Sequence, residues 1–277
     1  MIQPHPLAFL RDERAYSETR SKPWVAVPDQ RTHLRGFADL CSLSYAPADK
    51  LARYWQNVNC KRFESSETGA AAMIVWDDRS LVVVVRGTEV TDIRDIKADL
   101  NLDLIPYVLG GSIHAGFDSQ FRSISDDIAL ACRRITEEQS SLGKFRQNIY
   151  VTGHSLGAAV ATLLADSIHH VSELITFGSP RVGCPEFARQ IDLRRGRDWH
   201  QRVVHCADIV TRVPSPWRYR HCGRLVYINR NRELINDACP GYVAYDRLVG
   251  FRFKLLRNHR SGEYLGALSA NQSLVQK

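Results

Sequence analysis

The chain has 277 residues, 44% hydrophobic, 24% charged and 9% aromatic, with a formal net charge of +7 at pH 7. That length can bury a sizeable core without disulfides or a metal, and the composition excludes wholesale disorder, collagen and coiled coil. The longest apolar run covers residues 70–76, far short of the ~18–20 residues of a membrane-spanning helix, so no transmembrane segment is expected.

Residues 1–35 are polar, proline-bearing and aperiodic, and they read as an irregular N-terminal arm. They lack a basic stretch followed by a long apolar core and a small-residue cleavage site, so no secretory signal is read there. The chain is expected to stay in the cytoplasm, to leave by a signal-less route, or to have been trimmed of a leader. Apolar residues recur at helical spacing over 37–55. Residues 70–76 and 81–85 are short valine-rich runs, and Asp77-Asp78-Arg79-Ser80 between them signals a turn, so the pair reads as a buried hairpin. The stretch 89–113 is rich in Ile and Leu, broken by Gly110-Gly111, and reads as a candidate lid. Phe117, Phe121, Ile124, Ile128, Ala131 and Ile135 fall at steps of three and four, one apolar face of a long helix. Residues 148–152 read as a strand, 156–168 as a buried alanine-rich helix, 174–177 and 203–206 as strands, with a helix around 185–191. Strands alternating with helices predict an α/β domain with a mostly parallel central sheet flanked by helices, one domain over 1–277.

The seven cysteines show no C-x-x-C spacing, and an odd number does not make a disulfide framework, so reduced thiols are expected. Residues 1–150 hold 19 Lys+Arg against 20 Asp+Glu, whereas 151–277 hold 18 against 10. A basic C-terminal half favours anionic partners such as lipid headgroups. No aromatic-interleaved motif accompanies it, so no nucleic-acid partner is expected. His169-His170 has too few further ligands nearby for a metal. No metal and no cofactor are expected.

One stretch carries chemistry: Ile149-Tyr150-Val151-Thr152-Gly153-His154-Ser155-Leu156-Gly157-Ala158-Ala159. It places G-x-S-x-G between a strand and an apolar helix, the setting of a nucleophile elbow. Gly153 and Gly157 sit where the tight turn leaves no room for a Cβ. The serine hydroxyl then projects at the strand's carboxyl end, over a helix N-terminus that offers free N–H groups to an oxyanion. The bland alternative for Ser155 is a serine capping a buried helix. A nucleophilic serine needs a histidine base, which needs a carboxylate to fix its tautomer, and in elbow hydrolases the chain order is serine, acid, histidine. Asp208 ends a strand downstream of Ser155. His259 follows, with His221 as the other late histidine. His154, His114 and His205 read as structural, and Arg181 as the partner of a buried carboxylate near the site.

Six segments in order resemble the class 3 lipases, typified by secreted fungal triacylglycerol lipases. They are Val84-Val85-Arg86-Gly87-Thr88, His114-Ala115-Gly116-Phe117, Gly153-His154-Ser155-Leu156-Gly157, Phe177-Gly178-Ser179-Pro180-Arg181-Val182-Gly183, Asp208-Ile209-Val210-Thr211-Arg212-Val213-Pro214, and His259 with Tyr264. They cover roughly residues 71–266. The resemblance implies an α/β-hydrolase fold with a lid-like segment, and a serine ester hydrolase acting on acylglycerol-type lipid esters. It implies Ser155 as nucleophile, Asp208 as acid and His259 as base, with the backbone N–H groups of Leu156 and Thr88 as oxyanion hole. Isoleucine at position 96 stands where the family often has a lid tryptophan. Alternatives are a phospholipase A1, a short-chain carboxylesterase, or a non-catalytic binding protein on the same fold.

Overall fold

The computed structural model describes residues 7–10, 28–47, 59–87, 103–141, 148–249 and 257–269. Thr88, residues 89–102 of the expected lid and residues 48–55 of the first expected helix lie outside them.

Ten strands are described: β1 (Asn59–Glu64), β2 (Ala71–Trp76), β3 (Ser80–Arg86), β4 (Leu104–Pro106), β5 (Ser112–His114), β6 (Asn148–His154), β7 (Val171–Phe177), β8 (His200–His205), β9 (Arg224–Ile228) and β10 (Leu234–Asn236). Eight form one sheet in the order β1-β2-β3-β6-β7-β8-β9-β10. The pairs from β3 through β9 are parallel, and antiparallel pairs close both edges. Six helices accompany them: α1 (Pro28–Leu43), α2 (Ala115–Ser141), α3 (Leu156–Ser167), α4 (Pro185–Arg195), α5 (Pro240–Val249) and α6 (Ser261–Ser269).

The expected hairpin forms with Ala71 opposite Arg86 and Trp76 opposite Leu81. Its turn is made by Asp77, whose Oδ1 accepts the N–H groups of Arg79 and Ser80 at 2.9 and 2.8 Å, a local side-chain bond that suits Asp to turns. Strand β3 is buried on both faces, as a central strand must be when helices cover both sides. Leu81, Val83 and Val85 meet one core with Ile124 and Ile128 of α2 and Leu163 of α3. Val82 and Val84 meet the other, with Leu34 and Phe37 of α1 and Tyr264 of α6. Helix α3 is buried from Gly157 to Asp166, which explains its run of Ala and Leu.

The structure corrects the N-terminal reading in one respect. Helix α1 begins at Pro28, inside the stretch expected to be irregular, and ends at Leu43. Its inward face carries polar groups that hide its period. Gln30 Nε2 donates to Gln201 Oε1 and Asn236 Oδ1, both at 3.1 Å, and His33 Nε2 meets Glu173 Oε2 at 2.9 Å. The hairpin β4–β5 is held to the body. Tyr107 donates its hydroxyl to Asp166 at 3.2 Å, and Arg194 donates to the Leu109 carbonyl at 2.7 Å. All seven cysteines are free thiols. Among the described residues no helix is long and apolar enough to cross a membrane.

Four parallel strands end at the same edge of the sheet, where ligand sites of open α/β sheets form. Gly87 follows β3, Ser155 follows β6, Gly178 follows β7, and Asp208 lies three residues beyond β8.

Candidate active site

Ser155 sits between β6 and α3 with φ 59° and ψ −132°, a conformation that L-residues rarely adopt and that costs energy. Its hydroxyl makes no capping bond to α3, so the capping alternative has no support in the geometry. Instead Ser155 Oγ lies 2.7 Å from His259 Nε2. His259 Nδ1 lies 3.0 Å from both Oδ1 and Oδ2 of Asp208. The serine, histidine and aspartate are 1%, 5% and 0% exposed, so the three contacts are made out of bulk water. The other late histidine, His221, is engaged elsewhere, with Nε2 at 2.9 Å from the Thr211 carbonyl.

A buried carboxylate needs donors, and Asp208 has three. Besides the His259 ring, Oδ1 accepts the Val210 N–H at 2.9 Å and Oδ2 accepts the Tyr264 hydroxyl at 2.6 Å. Burial, and next the Asp208 charge, hold the Tyr264 phenol well above its ordinary pKa, so it stays a donor. Gly178 lies against the pair with φ 61°. A Cβ there would stand 2.8 Å from Asp208 Oδ2 and 3.0 Å from His259 Nδ1, which accounts for glycine in the Phe-Gly-Ser-Pro segment.

Leu156 opens α3, and the N–H groups of a helix's first turn have no intrahelical acceptor. Thr88, the other expected oxyanion donor, lies outside the described residues; Gly87 just before it is described. The Gly87 N–H donates to the Tyr45 hydroxyl at 3.1 Å. Tyr45 in turn meets His154 Nδ1 at 2.9 Å, and His154 Nε2 meets the His259 carbonyl at 2.6 Å. Tyr45 was missed in the sequence, which offers no signal joining it to a histidine 109 positions away.

His114 and His205, read as structural, are both buried in other contacts. His114 Nδ1 accepts the Gly116 N–H at 3.1 Å and its ring stacks on Phe117. His205 is buried against Tyr264. Arg181 corrects the expectation of a carboxylate partner: it donates to the carbonyls of Arg212 and Pro214, lacing the loop after Asp208. Among the described residues no group of three or more His, Cys, Asp or Glu could hold a metal ion.

Residues 82–217 match the model of the class 3 lipases. A secreted mono- and diacylglycerol lipase of Fusarium solani is 32% identical over 164 residues, which are 56% of this chain and 46% of that protein. The lipase of Rhizomucor miehei is 30% identical over 241 residues, 78% of this chain and 63% of that protein. The chain thus spans roughly half to three fifths of these relatives' length. The structure of the Rhizomucor miehei triacylglyceride lipase superposes with a TM-score of 0.69 at 21% identity, covering 88% of this chain and 98% of that one. The fold is therefore that of the α/β-hydrolases.

Proposed function

We propose that the chain belongs to the class 3 lipase family, whose model matches residues 82–217, and that it is a serine carboxylic-ester hydrolase acting on acylglycerol-type lipid esters. The observation that carries the reading is the 2.7 Å contact between Ser155 Oγ and His259 Nε2, on an elbow whose serine caps nothing.

The chemistry follows from the contacts. Asp208 accepts a hydrogen bond from the Nδ1–H, which leaves the lone pair of Nε2 facing the serine hydroxyl. As Oγ attacks an ester carbonyl, its proton passes to Nε2, and the new imidazolium lies against the Asp208 carboxylate. The carbonyl oxygen becomes an oxyanion held by the N–H of Leu156 and, in this reading, that of Thr88. The imidazolium then protonates the departing alcohol, leaving an acyl-enzyme. Water gives up a proton to Nε2, attacks the acyl carbon and releases the acid, and Ser155 regains its proton. No metal or organic cofactor enters.

We read residues 1–277 as one domain with a candidate lid at 89–113; of that stretch the described hairpin is held to Asp166 and α4. The basic C-terminal half supports peripheral contact with anionic lipid surfaces. Sedimentation with anionic vesicles tests this, and binding that does not weaken as salt rises counts against it.

The test of the activity is hydrolysis of p-nitrophenyl esters from acetate to palmitate by the protein and by Ser155→Ala. Turnover that rises with chain length and vanishes in Ser155→Ala is expected. Turnover on short esters alone makes the protein a carboxylesterase. Failure to hydrolyse any ester, with no labelling by a fluorophosphonate, overturns the reading.

A further inference from the structure

Three contacts join the end of strand β3 to the loop that carries His259, and none belongs to the serine–histidine–aspartate set. Gly87 N–H to Tyr45 Oη is 3.1 Å, Tyr45 Oη to His154 Nδ1 is 2.9 Å, and His154 Nε2 to the His259 carbonyl is 2.6 Å.

Elementary hydrogen-bond chemistry gives the relay one direction. The His259 carbonyl can only accept, so His154 Nε2 carries a proton. Burial, and next the neighbouring His259, pushes the His154 pKa down to about 3, so its ring is neutral and Nδ1 is bare. A bare Nδ1 accepts, so the Tyr45 hydroxyl donates to it. The Tyr45 oxygen keeps its lone pairs for the Gly87 N–H. Every group in the chain is then used, with no donor facing a donor. The His154 ring also lies under that of His259, with centroids 4.8 Å apart and planes 28° from parallel.

We propose that Tyr45 and His154 are positioning residues that act as one unit, fixing the distance between Gly87, at the end of β3, and the loop of His259. The inference rests on the ester-hydrolase reading and adds to it. A hydrolase of this kind must hold its oxyanion donors and its base in one geometry, yet the expected Thr88 donor and His259 stand far apart in the chain, the one shortly after β3 and the other shortly before α6. The sheet holds Gly87, the residue before the first. The second enters from outside the sheet, and the relay attaches its backbone to Gly87. His154 is next to the nucleophile in sequence, so the same link also registers both against Ser155.

The relay's signature is kinetic. A tyrosine that merely fills space would change how much protein is folded, not the rate of each folded molecule. The experiment is kcat and KM for Tyr45→Phe, His154→Leu, His154→Gln and the double variant Tyr45→Phe/His154→Leu, each normalised to active sites titrated with a fluorophosphonate. Phenylalanine keeps the ring and removes only the hydroxyl. It is expected to lower kcat by about ten- to a hundredfold, the scale of a misplaced reacting group, with KM changed by less than about twofold. Gln at 154 keeps an N–H for the His259 carbonyl and is expected to retain more activity than Leu. The double variant is expected to lose no more than the worse single one, because links in series fail together. Losses that multiply, or Tyr45→Phe with wild-type kcat per titrated site, overturn the relay. Wild-type protein without Ser155-dependent hydrolysis overturns the underlying reading, and the relay's role with it.

Discussion

Tyr264 donates a hydrogen bond from its hydroxyl to Asp208 at 2.6 Å and accepts one from the backbone N–H of His205 at 3.1 Å, so one buried phenol ties helix α6 to the carboxylate and to strand β8. Tyr264→Phe removes a donor to a charged, fully buried group. Such bonds are worth about 1.5–3 kcal/mol. Urea unfolding should show a loss on that scale, and kcat on the preferred ester should fall while KM holds. An unchanged kcat would mean that the Val210 N–H and His259 alone keep Asp208 in place.

Acid should destabilise the fold earlier than its carboxylates alone would cause. Burial pushes His154 and His200 down to about 3 and His114 to about 4. In the unfolded chain these rings titrate near the ordinary value of about 6.5. Between the two values the unfolded state binds more protons than the folded one, so stability rises with pH across that window and falls on acidification. The contribution is whole above about pH 6.5 and erodes below it, at up to about 1.4 kcal/mol per pH unit for each ring. Urea midpoints measured from about pH 7.5 down to about 5 should decline steadily. A flat profile would contradict the neutral, buried state of these rings.

The limits of the sequence reading have physical causes. The elbow was legible because Gly153, Ser155 and Gly157 lie within five residues, between a strand and a helix whose apolar patterns are plain. Asp208 and His259 were legible as ordered downstream candidates, and the structure brings both to Ser155. Helix α1 was half missed because Gln30 and His33 face inward, satisfied by Gln201, Asn236 and Glu173 from elsewhere in the chain. Tyr45 escaped for a related reason. Its role exists only through Gly87 and His154, and a lone tyrosine after a helix carries no local pattern. Arg181 was assigned the wrong partner because a guanidinium satisfies itself equally well on carbonyls, and no periodicity distinguishes the two.

Asp166 offers a stability change separable from the chemistry. Its side chain is 1% exposed and takes Arg194 Nη2 at 2.7 Å. The Tyr107 hydroxyl adds a bond at 3.2 Å. It lies near the far end of α3, 11 residues from Ser155. Asp166→Ala strands a partly buried arginine and a buried tyrosine, and leaving a buried donor unsatisfied costs about 1–3 kcal/mol. The expected result is a lower thermal midpoint with kcat per titrated site unchanged. A matching fall in kcat would show that the β4–β5 hairpin couples to the site.

Two glycines on helices should respond in opposite senses to the same change. A Cβ on Gly157 would stand 2.5 Å from the Val85 carbonyl oxygen and 2.5 Å from the Arg86 carbonyl carbon. Both are backbone atoms of the strand that leads to Gly87, so neither can move aside without shifting the elbow against β3. Gly157→Ala is expected to cost about 1–3 kcal/mol or more, the scale of overpacking, and to lower kcat because Ser155 and Leu156 shift with it. Gly266, exposed on α6, has no heavy atom within 4 Å of the place a Cβ would take. There alanine adds helix propensity at no steric cost, and Gly266→Ala should gain up to about 1 kcal/mol. Urea unfolding of the two variants reads both signs at once. A Gly157→Ala protein as stable as its parent would mean that the close approach of α3 to β3 is not what glycine serves at that position.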